Sequence, residues 1–210
     1  MHLSIKLKKE KKGDSIDNKR EKWDMGLEYM KTFKMFLDEF KNIQSKEILY
    51  KKDLKKYAYL IIFLIQIKNG CRVGEAVDGV LWFYENRNKI NWNDTVVGWA
   101  KIEKLKKEEY RKITLPKAIT KRDLEKVEPI LKDLKNVKKP SIRLSNWLKR
   151  HYGINTHSLR YAFITYHAEM NTPAQIIAKM TGHKNLNYII HYTQQRVADK
   201  ILLNTPEPEE

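Results

Sequence analysis

The sequence predicts an α+β domain, mainly helical, in which the helices surround a small antiparallel three-stranded sheet. Three observations predict it. Apolar residues recur at helical spacing early in the chain and again after Pro116, and the run from Tyr57 to Ile67 is apolar almost all round. Between those regions, from Ile90 to Leu115, β-branched and aromatic residues alternate with turn residues.

Taken in order, Leu27, Met30, Phe33 and Leu37 mark the apolar face of a first helix that ends near Phe40. Leu54 to Lys68 form a second, buried helix closed by Asn69-Gly70, and a short helix starts at Arg72 or Val73. Ile90–Trp92, Thr95–Leu105 and Tyr110–Leu115 are the three expected strands, with turns at Asn93-Asp94 and Lys106 to Glu109. The Trp and Tyr residues between Trp82 and Tyr110 read as the two faces of that sheet, in preference to base-stacking platforms.

Leu124, Val127, Ile130, Leu131 and Leu134 line one helical face. Pro140 starts a helix that ends at Gly153, and Thr156 is expected to cap the next, from His157 to about Met170. Thr172-Pro173-Ala174-Gln175 combines a cap, a proline at the first helical position and a Gln, and Gly182 closes that helix. A last helical stretch covers Asn187 to Leu203. Residues 1–22 read as a basic arm without a fold of its own and residues 204–210, with PEPEE, as an acidic tail. That leaves residues 23–203 as one domain.

The 210 residues carry a formal net charge of +16, which points to a polyanionic partner, nucleic acid being the commonest. A Lys-rich surface style is the plainer reading of the same charge. Cys71 is the one cysteine, so neither an intramolecular disulfide nor a cysteine-cluster metal site is available. The longest apolar run is too short to cross a bilayer, and no apolar segment of a secretory signal follows Met1. A soluble, intracellular (cytoplasmic) protein acting on double-stranded DNA, without membrane contact, is the expectation.

Breaking a phosphodiester without a metal needs fixed cations around the non-bridging oxygens, a proton donor for the leaving oxygen and a hydroxyl nucleophile. Arginines suit the first task, because each guanidinium offers a planar pair of donors. The chain holds these parts in order. Asn69-Gly70-Cys71-Arg72-Val73-Gly74-Glu75 places an Arg after the buried helix. His157-Ser158-Leu159-Arg160 sets a His and an Arg on one helix face, Thr181-Gly182-His183 places a His at a helix end, and Tyr192 follows. Each motif alone has a plain alternative: a surface Arg, a His in a first turn, a loop His. Tyr152, Tyr166 and Tyr188 rival Tyr192, while His151, His167 and His191 read as structural or solvent-facing.

The ordered set, G-x-R-x-x-E, H-x-x-R, then G-H followed by the Tyr, resembles the tyrosine recombinase (integrase) family over roughly Met25 to Leu203. The Lys-rich style suggests a member from an archaeal virus or mobile element. The resemblance implies the catalytic-domain fold of that family. It implies that Arg72 and Arg160 clamp the scissile phosphate, that His157 and His183 donate hydrogen bonds or assist proton transfer, and that Glu75 supports Arg72. Tyr192 would attack to give a 3′-phosphotyrosine and a free 5′-hydroxyl, and a hairpin Lys would protonate the leaving oxygen. Lys104 is our choice for it, with Lys101, Lys106 and Lys107 as competitors. Neither a cofactor nor a metal is implied. Self-association as a tetramer on two duplexes is implied, with Ala198 to Leu203 available to pass to a neighbour. Family members usually carry a separate helical domain ahead of the catalytic one, and only a short arm precedes the first helix here. A type IB topoisomerase-like activity and a DNA-binding fragment without catalysis are the alternatives.

Overall fold

In the computed structural model, which describes residues 25–103, 108–183, 185–187, 189, 202–203 and 205, helix α1 (Tyr29–Gln44) lies against helix α2 (Lys51–Asn69). Every residue of α2 from Tyr57 to Ile67 is buried, because α1, α3 (Val73–Asn86) and α7 (Thr156–Glu169) all pack on it. Each fully buried Leu, Ile or Phe there contributes about 1.5–3 kcal/mol of transfer free energy. Aromatic pairs stitch the layer: Phe40 stacks on Tyr57 at 4.9 Å, and Phe63 on Trp147 at 6.0 Å. α1 runs one turn beyond Phe40 because Ile43 is also buried against this core.

After α3 the chain forms β1 (Val97–Lys101) and β2 (Tyr110–Thr114), antiparallel, with Trp99 opposite Lys112 and Lys101 opposite Tyr110. The sheet thus has two strands among the described residues, and not the three expected. Ile90–Trp92 is turn because its polar groups bond locally: Asn91 Nδ2 donates to Asp94 Oδ2 at 2.7 Å and Trp92 Nε1 to the Arg87 carbonyl at 3.0 Å. Trp82 and Tyr84 lie on α3, so they are not sheet residues, whereas Trp99 and Tyr110 are exposed on the strands.

Beyond the sheet follow α4 (Lys121–Lys126), α5 (Glu128–Asn136), α6 (Pro140–Tyr152), α7 and α8 (Ala174–Thr181). The apolar face from Leu124 to Leu134 spans two helices, since Pro129 starts a new one after Val127. Asn155, and not Thr156, caps α7: its Oδ1 accepts from Ser158 N at 2.9 Å, while the Thr156 hydroxyl is shared with Ser145 at 3.1 Å. Pro173 occupies the cap position of α8 itself, and Gly182 closes that helix in the left-handed conformation.

The basic arm, Tyr188, most of the 187–203 stretch and of the acidic tail, and Lys104, Lys106, Lys107, His191 and Tyr192 lie outside the described residues. Among the described residues no helix is long and apolar enough to cross a membrane.

Candidate functional site

The C-terminal end of α2 organises the site. Gln66 Nε2 donates to the Thr156 carbonyl at 2.8 Å and so pins the start of α7. Asn69 takes the Thr114 N–H at 2.8 Å and gives its own Nδ2–H to the Thr114 carbonyl at 2.9 Å, docking β2 beside it. Gly70 then ends the helix at φ +54°, which an L side chain resists, and its carbonyl accepts from Arg160 Nη1 at 3.0 Å. Cys71 follows, fully buried, its thiol pushed up to about 12 by burial and therefore inert.

Arg72 stands at the start of α3, where Glu75 closes the helix end by accepting from Arg72 N at 3.1 Å. The same carboxylate accepts from Arg72 Nη1 at 3.0 Å and Arg111 Nη1 at 3.2 Å, and is wholly buried. Glu75 therefore orients arginines and has no open face for substrate.

Arg160, on α7, is 4% exposed. Its Nη2 lies 3.0 Å from Nδ1 and 3.2 Å from Nε2 of His183. Burial first, then the neighbouring Arg72 and Arg111, lowers its pKa to about 10, so it stays charged at neutral pH. Burial and the three arginines push His183 down to about 3. One tautomer of the neutral ring satisfies this network. The Thr181 hydroxyl donates to the Ile177 carbonyl at 2.7 Å and accepts from His183 Nδ1–H at 2.7 Å, leaving Nε2 to accept from Arg160.

Arg72, His157 and Arg160 line one cleft of about 390 Å³, with Glu103 and Lys149 at its walls. His157 is exposed on the first turn of α7. His183 lines a neighbouring, wider groove of about 910 Å³ with Trp99, Tyr110, Lys112, His167 and Lys179. The Arg160–His183 contact joins the two. Four of the six residues expected from the sequence are thus brought together, while Lys104 and Tyr192 lie outside the described residues. Of the competing lysines, Lys101 ends β1, half exposed and paired with Glu108.

Of the rival tyrosines, Tyr152 and Tyr166 are otherwise engaged, and Tyr188 lies outside the described residues. Tyr152 donates to Glu39 Oε2 at 2.5 Å, Tyr166 stacks on Tyr29 at 4.6 Å and His151 stacks on Trp147 at 4.1 Å. Sequence reasoning missed Arg111. Its one signal is the choice of Arg in a hairpin otherwise supplied with Lys, a choice that matters where a planar fork of donors is needed.

Two viral proteins whose names assign them as integrases are similar to this chain. ORF241 of the Acidianus two-tailed virus is 32% identical over 181 residues, covering 86% of this chain and 67% of its own. V10 of the Sputnik virophage is 32% identical over 206 residues, covering 85% and 88%. The uncharacterised protein MJ0770 of Methanocaldococcus jannaschii is 42% identical over 208 residues, covering 92% and 93%. No protein-family model matches. Similar solved structures include the XerH site-specific recombinase bound to difH substrate (18% identity, TM-score 0.44, 83% of this chain and 53% of that one). The XerA recombinase is another (13%, TM-score 0.44, 81% and 64%). This chain therefore spans little more than half of the first and under two thirds of the second.

Proposed function

This chain belongs to the family of the viral integrases it matches, and because its arginine, histidine and tyrosine motifs resemble those of tyrosine recombinases, we propose that it cuts and rejoins double-stranded DNA at specific sites through a covalent bond to Tyr192. The observation that carries the reading is the meeting of Arg72, His157 and Arg160 along one cleft, with His183 bonded to Arg160. Arg72 and Arg111 both bond to the buried carboxylate of Glu75 and Arg160 feels its charge, so that, with Glu103 on the cleft wall, three guanidiniums face two carboxylates. A phosphodiester brings the missing negative charge.

In the reaction, the Tyr192 hydroxyl gives up its proton to solvent, its oxygen attacks phosphorus and bonds to it, and the bond from phosphorus to the 5′-oxygen breaks. Arg72 and Arg160 hold the non-bridging oxygens as charge builds on them. Among the described residues, Gly70 and His183 take two of the five N–H donors of Arg160, and others can turn to phosphate. His157, at the mouth of the cleft, adds a hydrogen bond. The leaving 5′-oxygen takes a proton, for which Lys104 is our assignment. Attack by a 5′-hydroxyl of another strand reverses the step and frees Tyr192, so the energy of the broken bond is kept. Exchange between two duplexes calls for four copies on DNA, the assembly the family resemblance implies.

The wider groove supports a nucleic-acid partner. Lys112 and Lys179 are exposed there, and the Lys112 ammonium sits 5.7 Å over the Trp99 ring. A labelled duplex carrying a nick beside candidate sites tests the reading, since the nick lets the released fragment leave and traps the adduct. A protease-sensitive band retarded on a denaturing gel, absent with Tyr192→Phe, is the expected result. DNA binding with no adduct on any duplex would overturn it.

A further inference from the structure

We propose that Arg111 is a positioning residue for this site: it fastens the C-terminal end of α8, and with it His183, to the arginine cleft. The inference rests on reading that cleft as the phosphate site.

Arg111 lies on β2 between the exposed Tyr110 and Lys112, yet its own side chain is only 10% exposed. Its Nη1 donates to Glu75 Oε2 at 3.2 Å and to the Thr181 carbonyl at 3.0 Å. Its Nη2 donates to the Asn69 carbonyl at 2.9 Å and to the Met180 carbonyl. Asn69 is the last residue of α2, and Met180 and Thr181 are the last two of α8. Carbonyls at helix ends lack partners within the helix and carry the negative end of its dipole, so a cation is the natural cap. One guanidinium caps two helices at once.

Each acceptor stands one step from a residue assigned to the site. Glu75 holds Arg72. Asn69 precedes Gly70, whose carbonyl holds Arg160. Thr181 holds the His183 ring through its hydroxyl. The geometry explains why Arg stands here in a Lys-rich hairpin: an ammonium has three donors around one point and cannot span acceptors on two helix ends and a carboxylate. The charge of Arg111 also helps to keep His183 neutral.

The test uses the full chain, with Arg111→Lys (charge kept, fork lost) and Arg111→Met. Three quantities are read: the His183 titration by NMR in the free protein, DNA affinity, and the single-turnover rate of adduct formation. Both variants are expected to bind DNA within about threefold of the parent and to form adduct about a hundredfold more slowly, as misplacing a catalytic group by an ångström does. In both, His183 titrates nearer the ordinary imidazole range, because its contact with Arg160 loosens. A purely structural cross-link would lower the melting temperature of Arg111→Lys and leave the His183 titration and the adduct rate of the folded fraction unchanged. That result overturns the proposal. If the parent itself forms no adduct, the functional reading fails, and the His183 titration in Arg111→Lys still decides whether Arg111 positions the ring. Should Arg111→Met fail to fold, Arg111→Lys carries the same comparison.

Discussion

Arg160 Nη2 lies 3.0 Å from His183 Nδ1 and 3.2 Å from Nε2, so a guanidinium from α7 and an imidazole beyond α8 form one unit between two clefts. The contact keeps a cation against a neutral ring. It also fixes the plane of the guanidinium, because Nη1 is held at the same time by the Gly70 carbonyl.

Arg160→Lys follows from that geometry. An ammonium reaches either Gly70 or His183, and cannot hold both while offering paired donors to phosphate. Adduct formation should fall about 10²–10³-fold, the usual cost of losing one donor to a transition-state oxyanion. DNA affinity should change little, since Lys keeps the positive charge that attracts the phosphate backbone. Single-turnover rates beside equilibrium binding check this.

His183 sets a pH dependence of stability. Its folded pKa is lowered to about 3 from the ordinary 6.5. The unfolded chain therefore takes up the proton first as pH falls. The contribution is fully present above about 6.5 and is lost progressively as pH drops toward about 3. Urea midpoints at pH 7 and pH 4.5 should fall further apart in the parent than in His183→Gln. Equal losses in the two proteins would contradict a neutral, buried-side imidazole.

Gly70→Ala probes the turn that aims Arg160. Gly70 sits at φ +54°, and an added Cβ would lie 2.3 Å from Phe163 Cδ1. The backbone cost and the forced repacking together should destabilise by about 2–4 kcal/mol. Because the Gly70 carbonyl holds Arg160, the folded fraction should also form adduct more slowly than the parent. Denaturant titration and gel assay on the same sample separate the two effects.

Tyr57→Phe is the contrasting case. Tyr57 donates to Asp123 Oδ1 at 2.6 Å, and Asp123 also accepts from Thr120 N at 2.7 Å and Gln44 Nε2 at 3.0 Å, at the opposite end of α2 from the cleft. Removing one donor from a buried carboxylate should lower stability by about 1–3 kcal/mol, with the adduct rate of the folded protein unchanged.

Much of the site was legible because its residues recur in order with helix-ending glycines: Gly70 before Arg72 and Gly182 before His183 are backbone features with a sequence signature. The buried α2 was legible from an apolar run with no polar face. Arg111 was not, since nothing in Tyr110-Arg111-Lys112 distinguishes an inward guanidinium from a surface cation until the ends of α2 and α8 are placed beside it. The third strand failed because Asn91 and Trp92 satisfy local partners, a competition that propensity does not register. The α7 cap went to Asn155 because Ser145, distant in sequence, engages Thr156.

The central claim is a phosphotyrosine bond at one residue, and mass spectrometry of the trapped adduct tests it most directly. Trypsin leaves Tyr188 and Tyr192 on one peptide, Asn185 to Arg196, and fragmentation separates them. The account predicts that the nucleotide phosphate is carried on Tyr192. Phosphate carried on Tyr188, on another residue, or on none in a protein that still binds the duplex would contradict it.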